Sequence, residues 1–154
     1  MTKIHSIRSI RVSLPFETGG PRHGMRPSLD AWTKMECVMV SIKTSDGLEG
    51  WGEAFGHVMA PGSEAVINQI LAPMLVGKDS VAINHRIAEL ERPLHGLGRS
   101  GPIMYALSAI DTALWDLAAQ RAHLPLYKLL GGESGVLTKY ASLMRYGGDS
   151  DAVA

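Results

Sequence analysis

The residues best suited to chemistry sit close together near the amino terminus. Arg22, His23 and Arg26 stand in the run Gly19-Gly20-Pro21-Arg22-His23-Gly24-Met25-Arg26-Pro27. A guanidinium holds a carboxylate through two parallel hydrogen bonds, and an imidazole can bond a hydroxyl or a carboxylate. The surroundings suit an anion. Residues 1–34 carry Lys3, Arg8, Arg11, Arg22, Arg26 and Lys34 against Glu17 and Asp30, a local charge of +4 in a chain whose 15 basic and 15 acidic residues cancel. The Gly-Gly-Pro-Arg-His-Gly run is not a phosphate loop, because no Lys-Ser/Thr follows and no strand leads through it into a helix. A second histidine, His57, lies in a short turn after Phe55-Gly56.

Other chemistry-bearing residues carry less. Glu53 has no second carboxylate nearby in sequence, whereas Mg²⁺ wants several oxygen ligands in octahedral array. A structural ion pair is the expectation for it. Asp111 and Asp116 are five apart, so they do not share a helical face, and a paired acid/base site is a poor reading. Their expected work is to accept backbone N–H groups or to pair an arginine such as Arg121. His5, His85, His95 and His123 lack zinc spacing. Cys37, Trp51 and Trp115 read as core residues, and no Ser/His/Asp triad spacing emerges.

Composition narrows the class. With 45% hydrophobic and 19% charged residues over 154 positions, this is one domain's length of ordinary globular chain. The neutral total gives no general pull toward nucleic acid or anionic membranes. A single cysteine excludes a disulfide framework and fits a reducing, cytoplasmic setting. The start has no apolar signal core, and no apolar run approaches the roughly 18 residues of a membrane helix.

The elements that must position the candidates read strands first, then helices, an α+β order. Ile10, Val12 and Leu14 alternate with Arg11 and Ser13, which predicts a half-buried strand over 4–14. Breakers fill 17–30, so that stretch is a loop. Residues 32–44 form a second strand with Val38, Val40 and Ile42 on one side and Met35, Cys37 and Met39 on the other, the pattern of a strand covered on both faces. Ser45-Asp46-Gly47 is a hairpin turn. The third strand runs from Leu48 to Phe55, and its bare Leu48, Gly50, Gly52 and Ala54 side predicts close approach by another element. Ser63 is the expected cap of a helix bearing Val66, Ile67, Ile70 and Leu71, ended by Pro73 and Gly77. Asp79 or Ser80 starts a helix that Pro93 stops. Ser100-Gly101-Pro102 opens the longest helix, apolar around most of its circumference and so the most buried. Pro125 begins a short helix ended by Gly131-Gly132. Val136 to Arg145 reads as a strand without a partner in the chain, and such exposed edges invite pairing with another copy.

The stretch from Ala106-Leu107-Ser108-Ala109-Ile110-Asp111-Thr112-Ala113-Leu114-Trp115-Asp116 through Pro125-Leu126-Tyr127-Lys128-Leu129-Leu130-Gly131, with Gly50-Trp51-Gly52-Glu53 before it, closely resembles the amino-terminal domain of the mandelate racemase/muconate lactonizing branch of the enolase superfamily. The resemblance implies a three-stranded antiparallel meander followed by a helical layer, a capping domain over 1–132. It implies a linker and the first strand of a (β/α) barrel over 133–154, the rest of that barrel not being in this sequence. In the family the barrel binds Mg²⁺ and carries the bases that remove a proton next to a carboxylate. The resemblance therefore puts no metal ligand and no catalytic base in this chain. Loops after the first and third strands close over the barrel mouth, which makes Arg22, His23, Arg26 and His57 the substrate-binding candidates, with Phe55 and Met59 as walls. The implied substrate is a small hydroxylated or sugar acid, the implied partners are the chain's own barrel and further copies in a homo-oligomer, and the implied reaction is a racemisation, epimerisation or dehydration. The alternative is an incomplete or split chain without catalysis of its own, a folding and association module. In either case the 154 residues alone are expected to be inactive.

Overall fold

The computed structural model describes residues 1–15, 34–97 and 99–140. Three strands, β1 (Ile4–Pro15), β2 (Lys34–Thr44) and β3 (Glu49–Phe55), form one antiparallel sheet in the order β1-β2-β3. The expected hairpin joins β2 to β3. Gly47 takes φ +87°, Thr44 N–H donates to the Leu48 carbonyl at 3.0 Å, and the Thr44 hydroxyl bonds the Asp46 carboxylate. Arg121 Nε reaches Asp46 Oδ2 at 3.1 Å and its Nη2 donates to Ser80 Oγ at 2.9 Å, tying the turn to the helical layer.

That layer follows as α1 (Ala60–Val66), a π-turn over Ile67–Leu71, α2 (Ala72–Leu75), α3 (Ile83–Leu94), α4 (Gly101–Ala122) and α5 (Leu126–Leu129). Helix α1 begins at Ala60, not at Ser63. Ser63 lies inside the helix, fully buried, and its hydroxyl has no partner among the described residues. Pro73 does not end this run. Ala72 N–H bonds back to the Ile67 carbonyl across five residues, and this widened turn accommodates a proline that has no N–H to offer. Gly77, at φ +85°, closes the segment. Asp79 bridges Lys3 and accepts from Val81 N–H at 3.2 Å, so it anchors the connection while α3 starts at Ile83. Helix α4 begins at Ser100-Gly101-Pro102 as expected and ends on His123 in the left-handed region.

The core lies between one face of the sheet and α4. Val38, Val40, Ile42, Ala54, Ile110, Ala113, Leu114 and Leu117 have no solvent contact. A Cβ on Gly52 would stand 2.0 Å from the Ala109 carbonyl oxygen, and one on Gly50 would stand 2.4 Å from that of Ala113. The bare side of β3 is thus where the helix backbone meets the strand backbone. Two α4 side chains also complete the free edge of β3. Trp51 N–H donates to Asp116 Oδ2 at 2.9 Å, and Gln120 Nε2 donates to the Glu49 carbonyl at 2.8 Å. Asp116 accepts a backbone N–H as anticipated, while Arg121 turns to Asp46 instead.

The second face of the sheet corrects two expectations. Among the described residues, helices cover β2 on one side only. The side with Met35, Cys37 and Met39 carries no helix among them, and its register neighbours Ile10, Val12, Leu14, Trp51 and Phe55 share it. Trp51 is 40% exposed and Cys37 half-buried, so neither belongs to the core. The alternation in β1 identifies a strand, but Ile10 and Leu14 point away from the helices. Residues 133–140 carry neither helix nor strand, and Val136, Leu137 and Tyr140 are exposed. A strand requires a ladder partner, and none lies beside 136–140 among the described residues. The rest of the expected strand, 141–145, lies outside them. No helix among the described residues is long and apolar enough to cross a membrane.

Candidate functional site

Strand register brings three chain ends to one end of the sheet. Pro15 pairs with Lys34, Leu14 with Met35, and Cys37 with Phe55. The segment 16–33 therefore leaves β1 and re-enters β2 beside the exit of β3. Arg22, His23 and Arg26 lie within that segment, outside the described residues, as does the side chain of His57. The anchors on both sides of them are described.

The turn after β3 is held tightly. A Cβ on Gly56 would come within 1.7 Å of the Glu36 carbonyl oxygen, so the chain passes backbone against backbone over the start of β2. His57–Met59 then makes one 3₁₀ turn, with Met59 N–H donating to the Gly56 carbonyl at 3.1 Å. Phe55 packs on Tyr105, from the beginning of α4, with ring centroids 5.2 Å apart. Phe55, Val58 and Met59 keep about half or more of their surface open (44–66%). Lys34 Nζ holds Glu36 Oε1 at 3.0 Å where the segment re-enters the sheet. The result is an apolar wall, fixed by Gly56 and Tyr105, standing beside the two ends of the segment that holds Arg22, His23 and Arg26.

Tyr105 is the contributor that sequence reading missed. It was hidden among the apolar residues of the longest helix, and only its place one turn inside the helix start hinted at a role near the loops. Elsewhere, a cavity of about 370 Å³ opens between α3 and the start of α4. It is lined by Leu94, Ile103, Met104 and Leu107 together with Arg92, His95 and Arg99, and contains none of the proposed substrate-binding residues.

The remaining polar candidates sort by environment. Among the described residues no three His, Cys, Asp or Glu side chains converge as a metal shell. Glu53 is exposed and has no ion-pair partner among the described residues, contrary to the expected salt bridge. Burial first, and the Glu53 carboxylate second, push the Cys37 thiol above its ordinary range, which makes it a weaker nucleophile than a free thiol. Burial also raises Asp111, against a hydrogen bond from Trp115 that lowers it. Asp46 is held low, chiefly by the Thr44 hydroxyl and then by Arg121. Glu49 is held low by the Ser41 hydroxyl and then by Lys43.

Residues 14–131 match the family described as mandelate racemase / muconate lactonizing enzyme, N-terminal domain. Among curated relatives, an arabinonate dehydratase of Saccharolobus solfataricus is 35% identical over 106 residues, 69% of this chain and 28% of that protein. A D-mannonate dehydratase of Rhizorhabdus wittichii is 39% identical over 100 residues, 63% of this chain and 24% of its own. Among solved structures, an L-talarate dehydratase from Polaromonas sp. JS666, complexed with Mg and L-glucarate, superposes with a TM-score of 0.74 at 31% identity, over 87% of this chain and 36% of that one. The chain spans only about a quarter to a third of the length of these relatives. The chain belongs to the mandelate racemase/muconate lactonizing family of amino-terminal domains.

Proposed function

We propose that this chain is the capping and specificity domain, over 1–132, of a Mg²⁺-dependent enzyme that removes the proton beside the carboxylate of a hydroxylated acid. Among racemisation, epimerisation and dehydration we favour dehydration of a sugar acid. In that reaction the proton leaves the carbon bearing the carboxylate and the neighbouring hydroxyl departs as water. The support for the substrate class is the naming of relatives as sugar-acid dehydratases and of a structural neighbour as bound to Mg and L-glucarate. The observation that carries the domain's role is the convergence of β1, β2 and β3 at one end of the sheet, which sets the two ends of the segment holding Arg22, His23 and Arg26 beside the turn bearing His57.

On this reading Arg22 and Arg26 hold the substrate carboxylate, and His23 and His57 bond its hydroxyls. Phe55, Val58 and Met59 exclude water from the covered site, which strengthens each of those polar contacts. Metal and bases belong to the barrel, so the 154 residues by themselves turn over no acid and take up no Mg²⁺ stoichiometrically. Calorimetric titration of the chain with Mg²⁺ tests that half of the reading.

The other half is tested on residues 1–132 fused to the barrel of the Polaromonas L-talarate dehydratase. Arg22→Ala with Arg26→Ala is expected to raise KM for sugar acids about tenfold or more, with kcat changed less, since binding contacts common to ground and transition states act on KM. His57→Ala is expected to cost a smaller factor. A fusion that is active on sugar acids and indifferent to all three changes overturns the assignment of these residues.

A further inference from the structure

The turn that bears His57 is held from the helical side by one face of α4. By strand alternation Phe55 belongs with Trp51 and Glu53, on the side of β3 away from α4. Its ring nonetheless meets the ring of Tyr105, on α4, with centroids 5.2 Å apart and planes tilted by 59°. The pair therefore closes round the edge of β3 at the point where the strand ends. Further along that edge, Asp116 and Gln120 of the same helix bond the β3 backbone. Pro102 stands three residues before Tyr105, on the same face of α4, and a Cβ on Gly62 would lie 3.1 Å from its ring. The chain from Phe55 to Gly62 is thus held at both ends by the first two turns of α4. Between them, Gly56 lies against the Glu36 backbone, and Met59 N–H closes the single 3₁₀ turn on the Gly56 carbonyl.

The ring contact adds little to the core. Phe55 keeps half of its surface in water, and Tyr105 packs at the margin of the core rather than within it. Tilted aromatic pairs have a preferred geometry, so the contact fixes a direction as well as covering area. Gly56 sets how closely the turn approaches β2, and the ring pair sets where along the sheet edge the turn begins. We propose that Tyr105 is a positioning residue: through Phe55 it places the turn that bears His57, a role that rests on the substrate contact proposed above for His57. Tyr105 needs no contact of its own with the substrate for this.

The first test is independent of activity. In this chain, hydrogen exchange at Met59 N–H reports the turn, and exchange at the Ile110 and Leu114 N–H groups reports the buried middle of α4. Tyr105→Leu is expected to speed exchange at Met59 about tenfold more than at Ile110 and Leu114. Tyr105→Phe keeps the ring and should leave all three within about twofold of wild type. Should Tyr105→Leu disturb the fold, as circular dichroism would reveal, Phe55→Leu makes the same comparison from the other side of the contact. Acceleration of all three amides by one common factor would make Tyr105 an ordinary packing residue and overturn the proposal, as would a Tyr105→Phe variant that behaves like Tyr105→Leu. The second test uses the fusion of residues 1–132 to the Polaromonas barrel. Tyr105→Leu is expected to raise KM for L-talarate about threefold with kcat changed less, and to add almost nothing once His57 is replaced by alanine, because a positioning residue acts through the group it places. The full factor persisting beside His57→Ala overturns the proposal. A silent His57→Ala together with a selective response at Met59 would overturn the role proposed for His57 while upholding Tyr105 as the residue that sets the turn.

Discussion

The inner face of the sheet presents Val38, Val40, Ile42 and Ala54 to α4 without any solvent contact, while Ile10, Leu14, Met35, Trp51 and Phe55 on the outer face keep 40–59% of their surface in water. Large apolar residues occur on both faces, and the outer one also carries Arg8, Lys43, Glu49 and Glu53. What admits a helix to the inner face is size. The inner face alone carries Gly50 and Gly52, and opposite them Ala109 and Ala113 bring the helix backbone into contact with the strand. Packing density follows from how closely two backbones can approach, so small residues select the face that a helix occupies.

The comparison breaks most easily at its tightest point. Gly52→Val places a Cβ where the Ala109 carbonyl oxygen already stands, 2.0 Å away, with no side chain able to move aside. The expected loss is at least about 3 kcal/mol, seen as a collapse of the urea midpoint. Ala113→Leu, facing the same glycines from the helix side, is expected to cost about 1–3 kcal/mol. An unchanged melting midpoint in either variant would mean that the two backbones are not in contact.

Much of this was legible in the chain. The three strands, the Asp-Gly hairpin and the long buried helix follow from alternation, turn chemistry and helical spacing, and the bare side of β3 announces the approach of α4. The alternation in β1 was less informative, because period two identifies a strand without saying which side is covered. Cys37, Met39 and Trp51 read as core for the same reason. The start of α1 and its passage through Pro73 were hidden too, since a π-turn has no signature in residue type. At the candidate site, the basic residues and His57 could be picked out by chemistry. Tyr105 could not, because its role comes from an aromatic contact across 50 positions of sequence.

The edge of β3 sharpens the comparison at an intermediate scale. Asp116 accepts from Trp51 N–H and from Gln120 Nε2, so α4 satisfies the strand by hydrogen bonding as well as by packing. Asp116→Ala is expected to cost about 1 kcal/mol in urea unfolding, and Asp116→Asn less, because the amide oxygen can still accept from Trp51.

Asp111 on the same helix behaves oppositely. Its carboxyl is raised from 3.8 by burial, against the Trp115 hydrogen bond, so the folded chain resists an ionisation that the unfolded chain allows. Asp111 therefore costs stability once pH rises above that value, and the cost disappears in acid. Asp111→Asn is expected to gain a few tenths of a kcal/mol at pH 7, the group being part-exposed, and nothing at pH 3. Asp46, held below 3.8, carries the reverse sign. Its contribution is complete above its unfolded value and fades as pH falls through its folded one, so Asp46→Asn should flatten the acid side of a melting-temperature profile. Parallel profiles for wild type and both variants would contradict the two signs.

The smallest effect belongs to the outer face, and its smallness is the sharpest form of the comparison. Leu14 is 59% exposed at the end of β1 and touches no helix-covered core residue across the ladder, its register partner being Met35. Replacing it with glutamine removes little buried area and leaves the backbone ladder intact. Leu14→Gln should alter the unfolding free energy by no more than about 0.5 kcal/mol, as for ordinary surface changes, against the loss of about 1–3 kcal/mol expected for Ala113→Leu on the inner face. Urea melts of both variants check the contrast. A Leu14→Gln midpoint that falls as far as that of Ala113→Leu would make the outer face part of the core after all.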